Sequence, residues 1–171
     1  MRTLPTILVS TVFAALLAAC GTADLDQPPF YDNLAQPGKE LDVAAAASLF
    51  SSYRRANGLP AVEPDDALIA LARDQANRMA ASGRVTHDPG GRGFNQRLKG
   101  SGFQAVRAAE NVGAGYHTLA EAFSGWRDSP SHNKNMLLPG ASRFGIATAY
   151  VPNSRYKVFW ALVLAEPAAP R

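Results

Sequence analysis

Residues 109–137 read AENVGAGYHTLAEAFSGWRDSPSHNKNML: an acid beside an amide, a capped helix, and a histidine behind a Ser-Pro break. Thr118-Leu119-Ala120-Glu121 has capping-box spacing, so the Thr118 hydroxyl can accept from the Glu121 amide while the Glu121 carboxylate reaches back. The helix that follows places Leu119, Ala122, Phe123 and Trp126 on one face, which makes Glu121 a structural acid. Ser129-Pro130-Ser131-His132 then ends the run. Ser131 is expected to cap a further short helix starting at His132, with Asn135, Met136 and Leu137 in its turns and Pro139-Gly140 closing it.

Upstream, two helical patterns precede this stretch. From about Leu41, Val43, Ala46, Ala47, Phe50 and Tyr53 recur at three- and four-residue steps until Gly58 and Pro60 stop them. Asp65 is a good cap for a second helix with Leu68, Leu71, Ala72, Ala76 and Met79 on one face, and Gly83 suits the left-handed position that ends it. Arg84-Val85-Thr86-His87-Asp88 follows, and then a Gly-rich stretch, Pro89-Gly90-Gly91-Arg92-Gly93. No Lys-Ser/Thr follows those glycines and no strand precedes them, so they read as a loop at the rim of a site and not as a phosphate cradle. Phe94 to Lys99 is predicted to be a short helix that ends over Gly100 to Gly102, with an irregular or strand segment from Phe103 to Ala108.

The chain closes as a hairpin. Arg143 to Val151 alternates Phe144, Ile146, Thr148 and Tyr150 with small residues, and Pro152-Asn153-Ser154 turns it. Tyr156 to Ala165 returns as YKVFWALVLA, apolar on both faces, as a strand covered by helices above and below should be.

A helix followed by His87, then Ala109-Glu110-Asn111, then Trp126-x-x-Ser129-Pro130-x-His132-x-x-Asn135, resembles the CAP superfamily. This is the SCP-like domain of cysteine-rich secretory, antigen-five and pathogenesis-related proteins, and its short bacterial members are the nearest in pattern. Tyr53 to Pro60 resembles the family's usual end of its first helix. The resemblance covers roughly Leu41 to Ala165 and implies an α+β fold, a three-layer α-β-α sandwich with a small antiparallel sheet. It also implies a cleft that gathers two histidines and two acids. Three of those positions match His87, Glu110 and His132; the fourth, the acid after the tryptophan, falls on Ser129. Asp128 is adjacent, but one residue along a helix turns a side chain by about 100°.

The N-terminal 19 residues, with Arg2 ahead of the apolar run Leu4 to Ala19, form a secretory signal pattern. They lead through Leu17-Ala18-Ala19 into Cys20-Gly21, which resembles a bacterial lipobox, so Cys20 is expected to carry lipid such as palmitate and to anchor the chain in a membrane. Gly21 is not an inner-membrane retention aspartate, which directs the protein to the outer membrane of a two-membrane host. Residues 20–40, rich in Pro, Gly, Asn and Asp, read as a tether onto which Phe30 and Tyr31 could dock back; 41–166 form one domain and 167–171 a tail. With Cys20 modified, no thiol remains for a disulfide, so the core alone must stabilise a domain of this length. Loss of the signal peptide removes one basic residue, leaving 16 basic against 14 acidic, with only Arg54-Arg55 adjacent. That excludes a charge-driven nucleic-acid surface.

Two imidazoles and one carboxylate suit a weak, open divalent site such as zinc, with His87 and His132 as ligands. The cleft would include Glu110, Asn111 and Ser129, with Asn111 satisfying backbone groups and holding Glu110 in place. His117 matches no site position. Glu110 could act as general base on water, but no nucleophile with a positioned base is evident. Phe94, Phe103, Tyr116 and Trp126 could line an apolar groove, although core packing also explains Phe103 and Trp126. The expected function is therefore an envelope domain binding a divalent metal or a small ligand, lipids included, without catalysis. The alternatives left open are a metal-assisted hydrolase and a surface module for an envelope protein partner.

Overall fold

The computed structural model describes residues 27–88 and 90–169. The signal pattern and Cys20 lie outside the described residues.

Helix α1 (Val43–Ala56) starts where the Asp42 side chain accepts from the Ala45 amide, two residues later than the apolar pattern alone suggests. Helix α2 (Asp66–Ser82) has the expected ends: Asp65 accepts from the Ala67 and Leu68 amides, and Gly83 closes it in the left-handed conformation at φ 65°. Between them a two-residue strand, β1 (Glu63–Pro64), pairs parallel with β3 (Arg143–Tyr150). Helix α3 (Phe94–Gly100) precedes β2 (Ala105–Ala114), and α4 (Leu119–Asp128) carries the capping box. Strand β4 (Val158–Pro167) completes a sheet of order β1-β3-β4-β2.

The sheet is antiparallel apart from β1, and the fold is the three-layer α-β-α sandwich. Strand β4 shows why. Its Val158, Trp160, Leu162 and Leu164 join Phe50, Phe123, Trp126, Phe144 and Ile146 in a core beneath α1 and α4. The alternate residues Phe159, Ala161, Val163 and Ala165 join Leu68, Leu71, Ala72, Ala76 and Met79 of α2 on the other face. A two-residue period with both faces apolar needs a helical layer on each side.

Three local expectations change. The short helix α5 runs Pro130–Met136 with Ser129 at its N-cap, not Ser131. Proline favours the first helical position, where its missing N–H costs nothing, and that puts the cap on Ser129. The stretch read as a tether is partly domain: Pro29–Tyr31 form a 3-10 turn, Phe30 packs on the first core, and Leu34 is buried with its amide donating to the His117 carbonyl at 2.7 Å. The hairpin connection spans more than Pro152-Asn153-Ser154, because β4 starts only at Val158, after Lys157 at φ 64°.

Candidate functional site

Strand β2 is the edge strand next to β4, with Glu110 opposite Val163 and Asn111 opposite Leu162. Successive side chains on a strand point to opposite faces. Ala108, Val112 and Ala114 face the α2 core, so Glu110 enters that side while Asn111 faces α5. The motif thus straddles the free edge of the sheet, one residue serving each face.

On the α2 side, Glu110 is 4% exposed and is held by two partners. Arg97 Nη2 donates to Oε1 at 2.8 Å and to Oε2 at 2.9 Å, and His87 Nδ1 lies 2.9 Å from Oε2. A ring nitrogen facing a carboxylate carries the hydrogen, so the neutral ring of His87 would present Nε2 as its lone pair, and the side chain is 55% exposed. The loop bearing His87 is pinned from both sides. Gln75 Nε2 donates to the Thr86 carbonyl at 2.6 Å, and Arg97 Nη2 to the His87 carbonyl at 3.3 Å.

On the α5 side, Asn111 Nδ2 donates to the His132 carbonyl at 3.0 Å, which fixes the backbone from which that imidazole projects. Burial pushes the His132 imidazole below its ordinary value, and the nearby His87 charge pushes it the same way. The two histidines are near enough to feel one another, and the neutral form of His132 is favoured.

The other expected site residues fall out differently. Ser129 joins α4 to α5, its Oγ 3.3 Å from Ser131 Oγ, and among the described residues it bonds to neither Glu110 nor a histidine. Asp128 turns to Arg127, whose guanidinium holds its carboxyl below the usual range. His117 is exposed. Trp126 is buried, and Phe94, Phe103 and Tyr116 are half-buried, packed against the two cores.

Arg97 is the member of this cluster that motif reading misses. One signal was present: Phe94, Arg97 and Leu98 share a face of α3, so a charge lies on a buried stripe. A buried arginine needs acceptors for its N–H groups, and the Glu110 carboxylate supplies two of them here.

With this geometry in place, the class is clear. The chain belongs to the CAP family, described as the cysteine-rich secretory protein family, whose model matches residues 47–164. Its fold is similar to that of an extracellular protein containing an SCP domain from Bacillus anthracis, at 22% identity and a TM-score of 0.61, covering 70% of this chain and 38% of that one. It is similar also to an outer surface protein of Borrelia burgdorferi, at 18% identity and a TM-score of 0.68, covering 77% of this chain and 99% of that one. A cysteine-rich secretory protein of Staphylococcus aureus aligns at 17% identity and a TM-score of 0.57, covering 72% and 37%. The chain thus spans under two-fifths of the Bacillus and Staphylococcus proteins and nearly all of the Borrelia one. Comparison with curated protein sequences finds no match.

Proposed function

We propose that this is an exported cell-envelope protein, anchored through lipid on Cys20, whose CAP domain binds a divalent transition metal at His87 and His132 without catalysing a reaction. The outward location is supported by the signal pattern and by the Bacillus and Borrelia relatives, described as extracellular and outer surface proteins.

The observation that carries the metal reading is the Glu110–His87 pair. A carboxylate holding one ring nitrogen of a histidine is the arrangement that orients metal-binding imidazoles and raises their basicity. The donor set fits zinc or a similar ion, but only as a weak site. Among the described residues no group of three His, Cys, Asp or Glu could hold an ion, so two imidazoles would hold it and water would complete the shell. When bound, such an ion would supply Lewis acidity. The protein's own contribution is orientation: Glu110 turns His87, and Asn111 holds the backbone of His132.

The same contacts argue against the hydrolase alternative. A general base needs a lone pair within reach of the proton it takes. Glu110 is buried, and its oxygens already accept from Arg97 and His87.

Zinc titration by calorimetry, on the mature chain in detergent and on a His87→Ala, His132→Ala double variant, tests the reading. Saturable binding lost in the double variant supports it. Absent binding, or binding that survives the double substitution, overturns it.

A further inference from the structure

The place beside Glu110 that an ion-binding carboxylate would offer already holds a cation. Arg97 Nη2 lies 2.8 Å from Glu110 Oε1, 2.9 Å from Oε2 and 3.3 Å from the His87 carbonyl oxygen. Two carboxylate oxygens and a backbone carbonyl are hard donors of the kind that take calcium, magnesium or manganese. Here a guanidinium nitrogen occupies their focus. Arg97 is 4% exposed, its Nε donates to the Arg92 carbonyl at 3.3 Å, and Nη1 is buried without a hydrogen-bond partner. The guanidinium is thus seated for Glu110 and the His87 loop, at the cost of one of its own amino groups.

We propose that Arg97 is the resident cation of this cleft and the residue that determines which ions it accepts. It fills the oxygen cradle, takes Glu110 out of any coordination shell, and leaves a donor set of two imidazoles. Imidazole suits zinc, copper and nickel, whereas carboxylate and carbonyl oxygens suit manganese, magnesium and calcium. The zinc half of this selectivity rests on the two-histidine reading above. The exclusion of hard ions stands on the Arg97–Glu110 geometry alone.

The test titrates zinc and manganese separately into the mature chain, into Arg97→Ala, and into Arg97→Ala combined with Glu110→Gln. The wild type is expected to take zinc and not manganese. Arg97→Ala should gain manganese affinity by at least about tenfold and lose it again with Glu110→Gln, the range by which residues around a metal usually change affinity. Millimolar guanidinium should restore the wild-type preference by refilling the cradle. A folded Arg97→Ala variant with wild-type ion preference overturns the proposal. Should Arg97→Ala fail to fold, the wild type decides: manganese binding that broadens the Glu110 signals overturns it, and zinc binding without manganese binding supports it. Failures are separable. Absent zinc binding in the wild type with manganese gained in Arg97→Ala removes the two-histidine reading and supports the role of Arg97; zinc binding with no gain does the reverse.

Discussion

Asn135 Nδ2 donates to Asn111 Oδ1 at 2.9 Å and to the Glu110 carbonyl at 3.2 Å, so one side-chain amide of α5 closes the open edge of β2. An edge strand presents unpaired backbone groups that must find partners elsewhere. The Asn111 amide answers in the other direction, donating to the His132 carbonyl. These reciprocal bonds tie the helix bearing His132 to the strand bearing Glu110, and so couple the two halves of the cleft.

Asn135→Ala should therefore act on both stability and site. It leaves the Asn111 and Glu110 oxygens short of a donor, which costs about 1–3 kcal/mol. Urea unfolding should show that loss, and zinc affinity should fall along with it as His132 loosens. A variant with unchanged urea midpoint would mean that water replaces the amide without penalty.

Helix α2 lies directly on β3 at Gly145, where an added Cβ would land on the backbone of Leu68 and Ile69. Backbone cannot swing aside as a flexible side chain can. Gly145→Ala should cost about 3 kcal/mol, at the upper end for overpacking, and should lower the thermal midpoint. Gly93→Ala, at the start of α3 with nothing within 4 Å of the added carbon, is the control. Its midpoint should barely move. Equal shifts in both would show that α2 yields freely.

The elements legible in the sequence are those specified by neighbours a few residues apart. Asp65, Gly83 and the Thr118–Glu121 box act within one helical turn, and β4 announces its two covered faces by its own composition. His87, Glu110 and His132 were readable because a family pattern joins them. The remaining features depend on distant partners. Strand β1 forms because the Glu63 and Asp65 amides find the Ser142 and Phe144 carbonyls, on either side of a proline with no N–H to give. Arg97 became part of the site through an acid 13 positions away on another element. Ser129, read as a cleft residue, stands at the joint between α4 and α5, because Pro130 draws the helix start forward.

Acid should weaken the fold through His132. Its folded imidazole titrates below the ordinary 6.5, so between those two values the unfolded chain binds the proton more readily. The contribution is complete above 6.5 and is lost as the pH falls from that value to the lower folded one. Thermal midpoints measured from pH 7.5 down to 5 should decline, and His132→Asn should flatten the decline. Asp128, lowered by Arg127, acts in a separate window: its contribution is complete above 3.8 and is lost only in stronger acid. An unaltered slope in His132→Asn would assign the acid sensitivity to another group.

Arg54 offers the sharpest stability test. It is fully buried and faces carbonyls rather than a carboxylate: Nε donates to Pro60 at 3.0 Å, Nη1 to Met136 at 2.9 Å and Leu138 at 3.1 Å, and Nη2 to Ala141 at 2.8 Å. Burial pushes its pKa down, as expected for a cation without a counterion. Two of those carbonyls lie at the C-terminal end of α5, where the helix dipole favours positive charge. Arg54→Met takes the donor from the buried Met136 and Ala141 carbonyls and from the partly exposed Pro60 carbonyl, while Leu138 still accepts from the Ala141 amide, and should destabilise by about 4 kcal/mol, in the range that marks a broken buried network. Arg54→Lys keeps the charge but loses the planar fork, which no ammonium can reproduce across four acceptors, and should fall between the two. Urea midpoints for the three proteins decide it. A lysine variant as stable as the wild type would show that the charge, and not the fork, joins α1 to the end of α5.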